Sequence, residues 1–160
     1  MLRQLRDKES ILIKDDPVRP RFTYEWRTSC SREVWVLEND NTSGVDAVLC
    51  VAFTTDIPTT EYELDLFSQA AAQQDGRCYV AVFYTVWSYS IGSGRTIVNQ
   101  LAREILSTRE DVSRWVTLSP LTEMAERFHL SNGAVLLHRG SECQNFEYTH
   151  LMQQHQLPTL

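Results

Sequence analysis

Between Cys78 and Thr108 the chain reads CYVAVFYTVWSYSIGSGRTIVNQLAREILST. A run of β-branched and aromatic residues (Val80, Val82, Phe83, Tyr84, Val86, Trp87) leads into Gly92-Ser93-Gly94. Ile97, Val98, Leu101, Ala102, Ile105 and Leu106 then follow at helical spacing. Strand, glycine turn and helix aim unpaired backbone N–H groups and a positive helix end at one point. That is the chemistry of anion binding, phosphate above all. Glycine lets the backbone come close, and Arg95 adds a positive charge at the mouth of the turn. A purely structural turn has the same pattern, so the motif alone leaves both readings open.

Other reactive side chains are scattered. Cys30, Cys50, Cys78 and Cys143 form no C-x-x-C pair, and with His129, His138, His150 and His155 they show no zinc spacing. No metal is expected. Cys50 and Cys78 lie in apolar, strand-like runs, which reads as buried free thiols in a reducing cytoplasm. His129 follows the helical stripe Leu121, Met124, Ala125 and Phe128; a lone histidine near a helix C-terminus is usually structural. Ser119-Pro120 suits an N-cap and first helical position, and Asn132-Gly133 a helix stop. Glu123 and Glu126 are available carboxylates, but no spacing singles either out.

The elements that must position these groups follow from composition and pattern. With 160 residues, 42% apolar and 22% charged, the chain reads as one globular domain. A net charge of −6 argues against a nucleic-acid footprint, though a local basic pocket for a small anion is compatible with it. No apolar run approaches signal-peptide or membrane-spanning length, so no membrane partner is expected. Residues 1–20 are expected as an arm, with a short helix over LRQLRDKESILI and an extended Asp16–Pro20; 21–150 form the domain and 151–160 a polar tail. Arg21–Arg27 alternates as a half-buried strand would, with Phe22, Tyr24 and Trp26 on one face. Glu33–Glu38 and Val45–Thr54 flank an Asn/Asp/Gly cluster and predict an antiparallel hairpin. Thr60–Glu63 has the form of a capping box, opening a helix with Leu64, Phe67, Ala70 and Ala71 inward and Gly76 past its end. Later strands are expected at Arg114–Leu118, Ala134–His138 and Asn145–His150. The order predicts an α/β or α+β domain with a mixed, mostly antiparallel sheet flanked by helices.

This order, with the glycine turn after its longest strand, resembles the GNAT superfamily of acyl-coenzyme A enzymes. Their pyrophosphate loop has the form Gln/Arg-x-x-Gly-x-Gly/Ala, matched here by Tyr89-Ser90-Ile91-Gly92-Ser93-Gly94 with Tyr89 in place of the polar residue. From Val80 to Tyr148 the chain is similar to the C-terminal catalytic domain of malonyl-CoA decarboxylase. The match is carried by Phe83-Tyr84, Thr117-Leu118-Ser119-Pro120, Phe128-His129-Leu130-Ser131-Asn132-Gly133-Ala134, and Asn145 with Tyr148. It departs where that family has serines after the Phe-Tyr pair, since Thr85 and Trp87 stand there, and in a last loop cut to Arg139–Glu142.

The resemblance implies a twisted GNAT-like sheet and a coenzyme A thioester, acetyl-CoA or malonyl-CoA, as substrate. Val86, Trp87, Ser88, Tyr89, Gly92, Ser93, Gly94 and Arg95 would hold it. His129 would be the general acid/base, with Asn132 or Asn145 holding a carbonyl and Ser119 nearby. Decarboxylation is the first activity implied and N-acyl transfer to an amine acceptor the second. A non-catalytic binding module and a homodimer are also compatible with the fold.

Overall fold

The computed structural model describes residues 1–73 and 77–151. Antiparallel pairing builds the first half of the sheet: β1 (Leu2–Gln4), β2 (Arg32–Glu38), β3 (Val45–Thr54) and β4 (Val80–Ser88) lie side by side in that order. In the β2–β3 turn Asn39 Oδ1 accepts Asn41 N at 2.8 Å and Thr42 N at 3.2 Å, an Asx turn in the expected hairpin. Between β3 and β4 runs α2 (Glu61–Gln73). Thr60 Oγ1 accepts Glu63 N at 3.1 Å, but the Glu63 carboxylate bonds Thr59 instead, so the capping box is half-formed. Leu64 and Ala71 are buried and Phe67 and Ala70 half-buried, while the expected Gly76 stop lies outside the described residues.

After β4 the chain crosses over through α3 (Ser93–Thr108) to β5 (Arg114–Thr117), which pairs parallel with β4. Then come β6 (Ser119–Pro120), α4 (Glu123–Ser131), β7 (Val135–Arg139) and β8 (Cys143–Glu147). The strand order is β1-β2-β3-β4-β5-β8-β6, with β7 on β8. This is the mixed, mostly antiparallel α+β sheet that the pattern predicts. Strand alternation divides the core between two faces. Leu49, Val51 and Phe53 pack with Ile97, Leu101 and Ile105 of α3 on one face. Val48, Cys50 and Ala52 pack with Leu64, Ile13 and the ring-bearing residues Phe22, Tyr24 and Trp26 on the other.

The last strand ends at Glu147, short of the expected His150, and four other expectations change. Arg21–Arg27 is not a strand: Tyr24–Arg27 forms a helical turn, α1, whose Thr23 cap accepts Trp26 N at 3.1 Å. Its Arg27 is fully buried, donating to Asp16 Oδ2 at 2.7 Å and Arg19 O at 2.5 Å. The N-terminal helix gives way to β1 and a 3-10 helix over Asp7–Asp15, because the edge of β2 offers ladder partners such as Val34 O, 2.8 Å from Leu5 N. Ser119 does not cap α4; Thr122 does, accepting Ala125 N at 3.2 Å, and Ser119-Pro120 pairs with β8. The expected inward stripe is inward only in part: Phe128 packs against the core, whereas Met124 is 80% exposed and Leu121, before α4, 45%. None of the four cysteines is in a disulfide; Cys50, Cys78 and Cys143 are buried and Cys30 is exposed. Among the described residues no helix is long and apolar enough to cross a membrane. The tail expected at 151–160 lies, beyond Leu151, outside the described residues.

Candidate active site

The site arises where two parallel strands part. β4 and β5 pair only as far as Phe83 and Thr117. At that level the β3 register jumps from Cys50↔Thr85 to Val51↔Phe83, leaving Tyr84 as the extra residue of a bulge. A bulge bends its strand and ends regular pairing. β4 then runs on to Ser88 while the other chain turns through Leu118 into β6. Between them lies a cleft of about 770 Å3. Thr85, Val86, Trp87 and Ser88 form one wall, and Gly94 stands at the start of α3. Ser119, Pro120 and the α4 residues Met124, Ala125, Phe128 and His129 form the other. The stripe of α4 therefore borders this cleft.

The glycine turn is built for close approach on one side only. Gly92 has φ +84° with open space where a Cβ would stand, so backbone conformation, not crowding, requires glycine there. At Gly94 a Cβ would meet Phe128 at 3.5 Å and Ser88 at 3.9 Å, across the cleft mouth. The first N–H groups of α3 have no intrahelical acceptors, and Arg95 is exposed beside them. The Ser93 hydroxyl is used by the fold, 2.8 Å from Asp46 O and 2.7 Å from Ser90 O. Tyr89 turns away from the cleft: its hydroxyl donates to Asp15 Oδ2 at 2.7 Å and accepts Trp87 Nε1 at 3.0 Å. Burial and the Asp15 carboxylate push that phenol up to about 12.

His129 is the one buried residue of α4 and borders the cleft. Its Nδ1 lies 2.8 Å from Tyr148 Oη, and Asn132 Nδ2 donates to that same oxygen at 3.4 Å. Burial lowers the His129 pKa to about 4, so the ring is neutral at pH 7. Burial also pushes Tyr148 up to about 12, and the pair is uncharged. Asn132 is placed behind His129, as a support for Tyr148. Asn145 is fully buried and donates to Pro58 O at 2.9 Å and Thr117 O at 2.8 Å, so from β8 it ties the Pro58 segment to the end of β5 and does not line the cleft. Ser119 borders the cleft with its Oγ 2.8 Å from Thr117 Oγ1. Glu126 pairs with Arg139 at 3.1 Å and Glu123 is exposed. No Asp, Glu, Lys or Arg among the described residues lines the cleft. Nor is any group of three His, Cys, Asp or Glu among them placed to hold a metal ion.

Three contributors have no site role in the sequence reading, although Phe128 and Tyr148 both fall within the matched stretches. Tyr148 reads as a strand residue but completes the His129 pair. Pro17 and Val18 reach the cleft from the N-terminal segment, to which no motif points. Phe128 reads as core, yet it is half-buried and covers the Gly94 turn.

No protein-family model matches the chain, and no curated protein does. Solved structures do match. The malonyl-CoA decarboxylase of Agrobacterium vitis shares 18% identity over 80% of this chain and 35% of its own, with a TM-score of 0.63. That of Rhodopseudomonas palustris shares 18% over 97% of this chain and 57% of its own, with a TM-score of 0.65. AtaTR bound with acetyl-CoA shares 12% over 96% of both chains, with a TM-score of 0.61. The chain thus spans about a third of the Agrobacterium enzyme's length. At such identities the likeness is one of fold, and the fold is GNAT-like.

Proposed function

We propose that the protein is an acyl-CoA enzyme that decarboxylates malonyl-type thioesters in the cleft between β4 and β5. The observation that carries this reading is a neutral His129, backed by Tyr148, on a cleft that no Asp, Glu, Lys or Arg among the described residues lines. The pyrophosphate would lie on the first turn of α3, beside Arg95, where helix N–H groups and a guanidinium complement its charge. The thioester would run along β4 toward the bulge.

In this reaction the bond between the malonyl α-carbon and its carboxylate breaks. Its electron pair moves into the thioester, carbon dioxide leaves, and an enolate remains. An uncharged cleft suits the step, because it stabilises a localised carboxylate poorly while the transition state spreads that charge. The enolate oxygen needs a fixed donor. Asn132 donates to Tyr148 Oη, and the reading assigns the hydroxyl hydrogen to His129 Nδ1 and the ring proton to Nε2. A neutral imidazole held in that tautomer is an electrophile of the kind that polarises carbonyls. The carbon takes the Nε2 proton while Tyr148 hands its hydroxyl hydrogen to Nδ1, and the phenolate regains a proton from solvent, which completes acetyl-CoA. His129 is thus proposed as hydrogen-bond donor and proton carrier, Tyr148 and Asn132 as its positioning residues, and Ser119 as a polar contact.

N-acyl transfer to an amine is the second reading, favoured by the match to AtaTR along 96% of both chains. It would need a group to take the amine proton, for which the cleft offers His129 alone among titratable side chains with a lowered pKa. A soluble, cytoplasmic setting fits either reaction. Mass spectrometry of coenzyme A species after incubation with malonyl-CoA separates them. Acetyl-CoA formed by wild type and not by His129→Ala is the expected result. Unchanged malonyl-CoA with the wild-type protein would remove decarboxylation and leave amine acylation to be assayed with acetyl-CoA.

A further inference from the structure

The inner end of the cleft is walled by Pro17 and Val18, which precede α1 in a segment between two prolines. Buried ionic groups hold that segment. Asp16 Oδ1 accepts Val18 N and Arg19 N, both at 2.8 Å, and its Oδ2 takes Arg27 Nη1 at 2.7 Å. Arg19, only 1% exposed, places its guanidinium across the two parting strands. Its Nη1 donates to the Tyr84 carbonyl at the bulge, and its Nη2 to the Leu118 carbonyl at 3.0 Å. Its Nε pairs with Glu61 Oε1 at 2.9 Å. A guanidinium engaged on all three nitrogens is a strut, not a ligand for substrate. One side chain thereby sets both the separation of the strand ends and the position of the residue before it, Val18.

The cleft has a direction. Gly94 stands near Ser88 at one end, whereas Arg19 anchors at Tyr84, four residues back along β4. At strand rise that is roughly 13 Å, so an acyl-CoA whose pyrophosphate lies at the α3 turn would bring its acyl end along β4 toward Val18. Resting on the reading that the cleft takes acyl-CoA, we infer that Val18, positioned by the Arg19 strut, determines which acyl groups are accepted. The apolar, half-buried isopropyl group limits the acyl chain to a few carbons.

Calorimetric titration with acetyl-CoA and hexanoyl-CoA tests this without depending on which reaction follows. Wild type is expected to favour acetyl-CoA. Val18→Ala should move the ratio of the two affinities about tenfold toward hexanoyl-CoA, the scale on which an apolar pocket discriminates chain length. Val18→Phe should move it the other way, and Arg19→Lys, which lacks the planar fork, should shift it in the direction of Val18→Ala. Circular dichroism identifies a variant that fails to fold; Val18→Ala, which only removes two methyl groups, decides the matter alone. A ratio unmoved within twofold in Val18→Ala overturns the inference while leaving acyl-CoA binding intact. Failure of wild type to bind either thioester overturns the acyl-CoA reading, and this inference with it.

Discussion

His129 Nδ1 and Tyr148 Oη meet at 2.8 Å across 19 residues of sequence, from a helix end to the residue following the last strand. Neither ionises at neutral pH, because burial moves both away from it in opposite directions. The contact engages Nδ1 of His129 and leaves Nε2 as the other polar atom of the ring.

Tyr148→Phe removes only that hydroxyl. The variant is expected to fold, with a stability loss of about 1–3 kcal/mol from the partners left unsatisfied. Coenzyme A affinity should be retained while turnover of malonyl-CoA drops by about 10²-fold, as for loss of a group that orients a catalytic imidazole. Turnover equal to wild type would show that His129 works without its partner.

The buried imidazole makes stability depend on pH. His129 would titrate near 6.5 unfolded and holds out to about 4 when folded, because burial disfavours the charged ring. Below pH 6.5 the unfolded chain binds a proton that the native protein refuses, so this contribution falls as pH drops and levels off below about 4. Its full size is on the order of 3 kcal/mol. Urea denaturation at pH 7 and 4.5 should show a smaller loss for His129→Gln than for wild type; parallel losses would mean the ring protonates freely in the native state.

At the glycine turn two substitutions separate strain from blockage. Gly92→Ala should destabilise by about 1–2 kcal/mol through its positive φ, with coenzyme A binding retained. Gly94→Val should fold, since the first carbon fits at 3.5 Å from Phe128, but its methyl groups close the mouth. Calorimetry is expected to show no coenzyme A binding by Gly94→Val. Wild-type affinity there would sink the pyrophosphate site.

The Arg19 strut predicts a large stability effect from a residue far from any motif. Arg19→Met strands the Tyr84 and Leu118 carbonyls and should destabilise by about 3 kcal/mol, as loss of one member of a buried ionic network does. Arg21, which also pairs with Glu61 but is 61% exposed, should lose under about 1 kcal/mol on conversion to Ala. Chemical denaturation of the two variants side by side checks the contrast, and equal midpoints would refute the strut.

Much of the scaffold was legible from local pattern. The β2–β3 hairpin, β4, the Gly92 cap and α3 follow from alternation, turn chemistry and helical spacing, which act over a few residues. Phe22, Tyr24 and Trp26 show where that logic fails. Their period of two suits a strand, but one helical turn also presents Phe22 and Trp26 together, with ring centroids 4.5 Å apart and both against Tyr84. The choice fell to the helix because Arg27 is needed beside Asp16, a partner that no short window contains. Ser119 went the same way. Its neighbour Pro120 suits a first helical turn, but pairing of Ser119 with Gln144 holds this stretch in the sheet.

What the sequence determined by itself is the glycine turn and the elements around it, because a glycine φ, a helix end and an apolar period are properties of adjacent residues. Only the tertiary structure decided the cleft. A bulge at Tyr84 and the contacts of Arg19 lie where its strands part, Val18 lines it, and burial keeps His129 neutral beside Tyr148. Each of these is a contact between segments remote in the chain, and a pKa or a strand separation exists only once such segments have excluded water together.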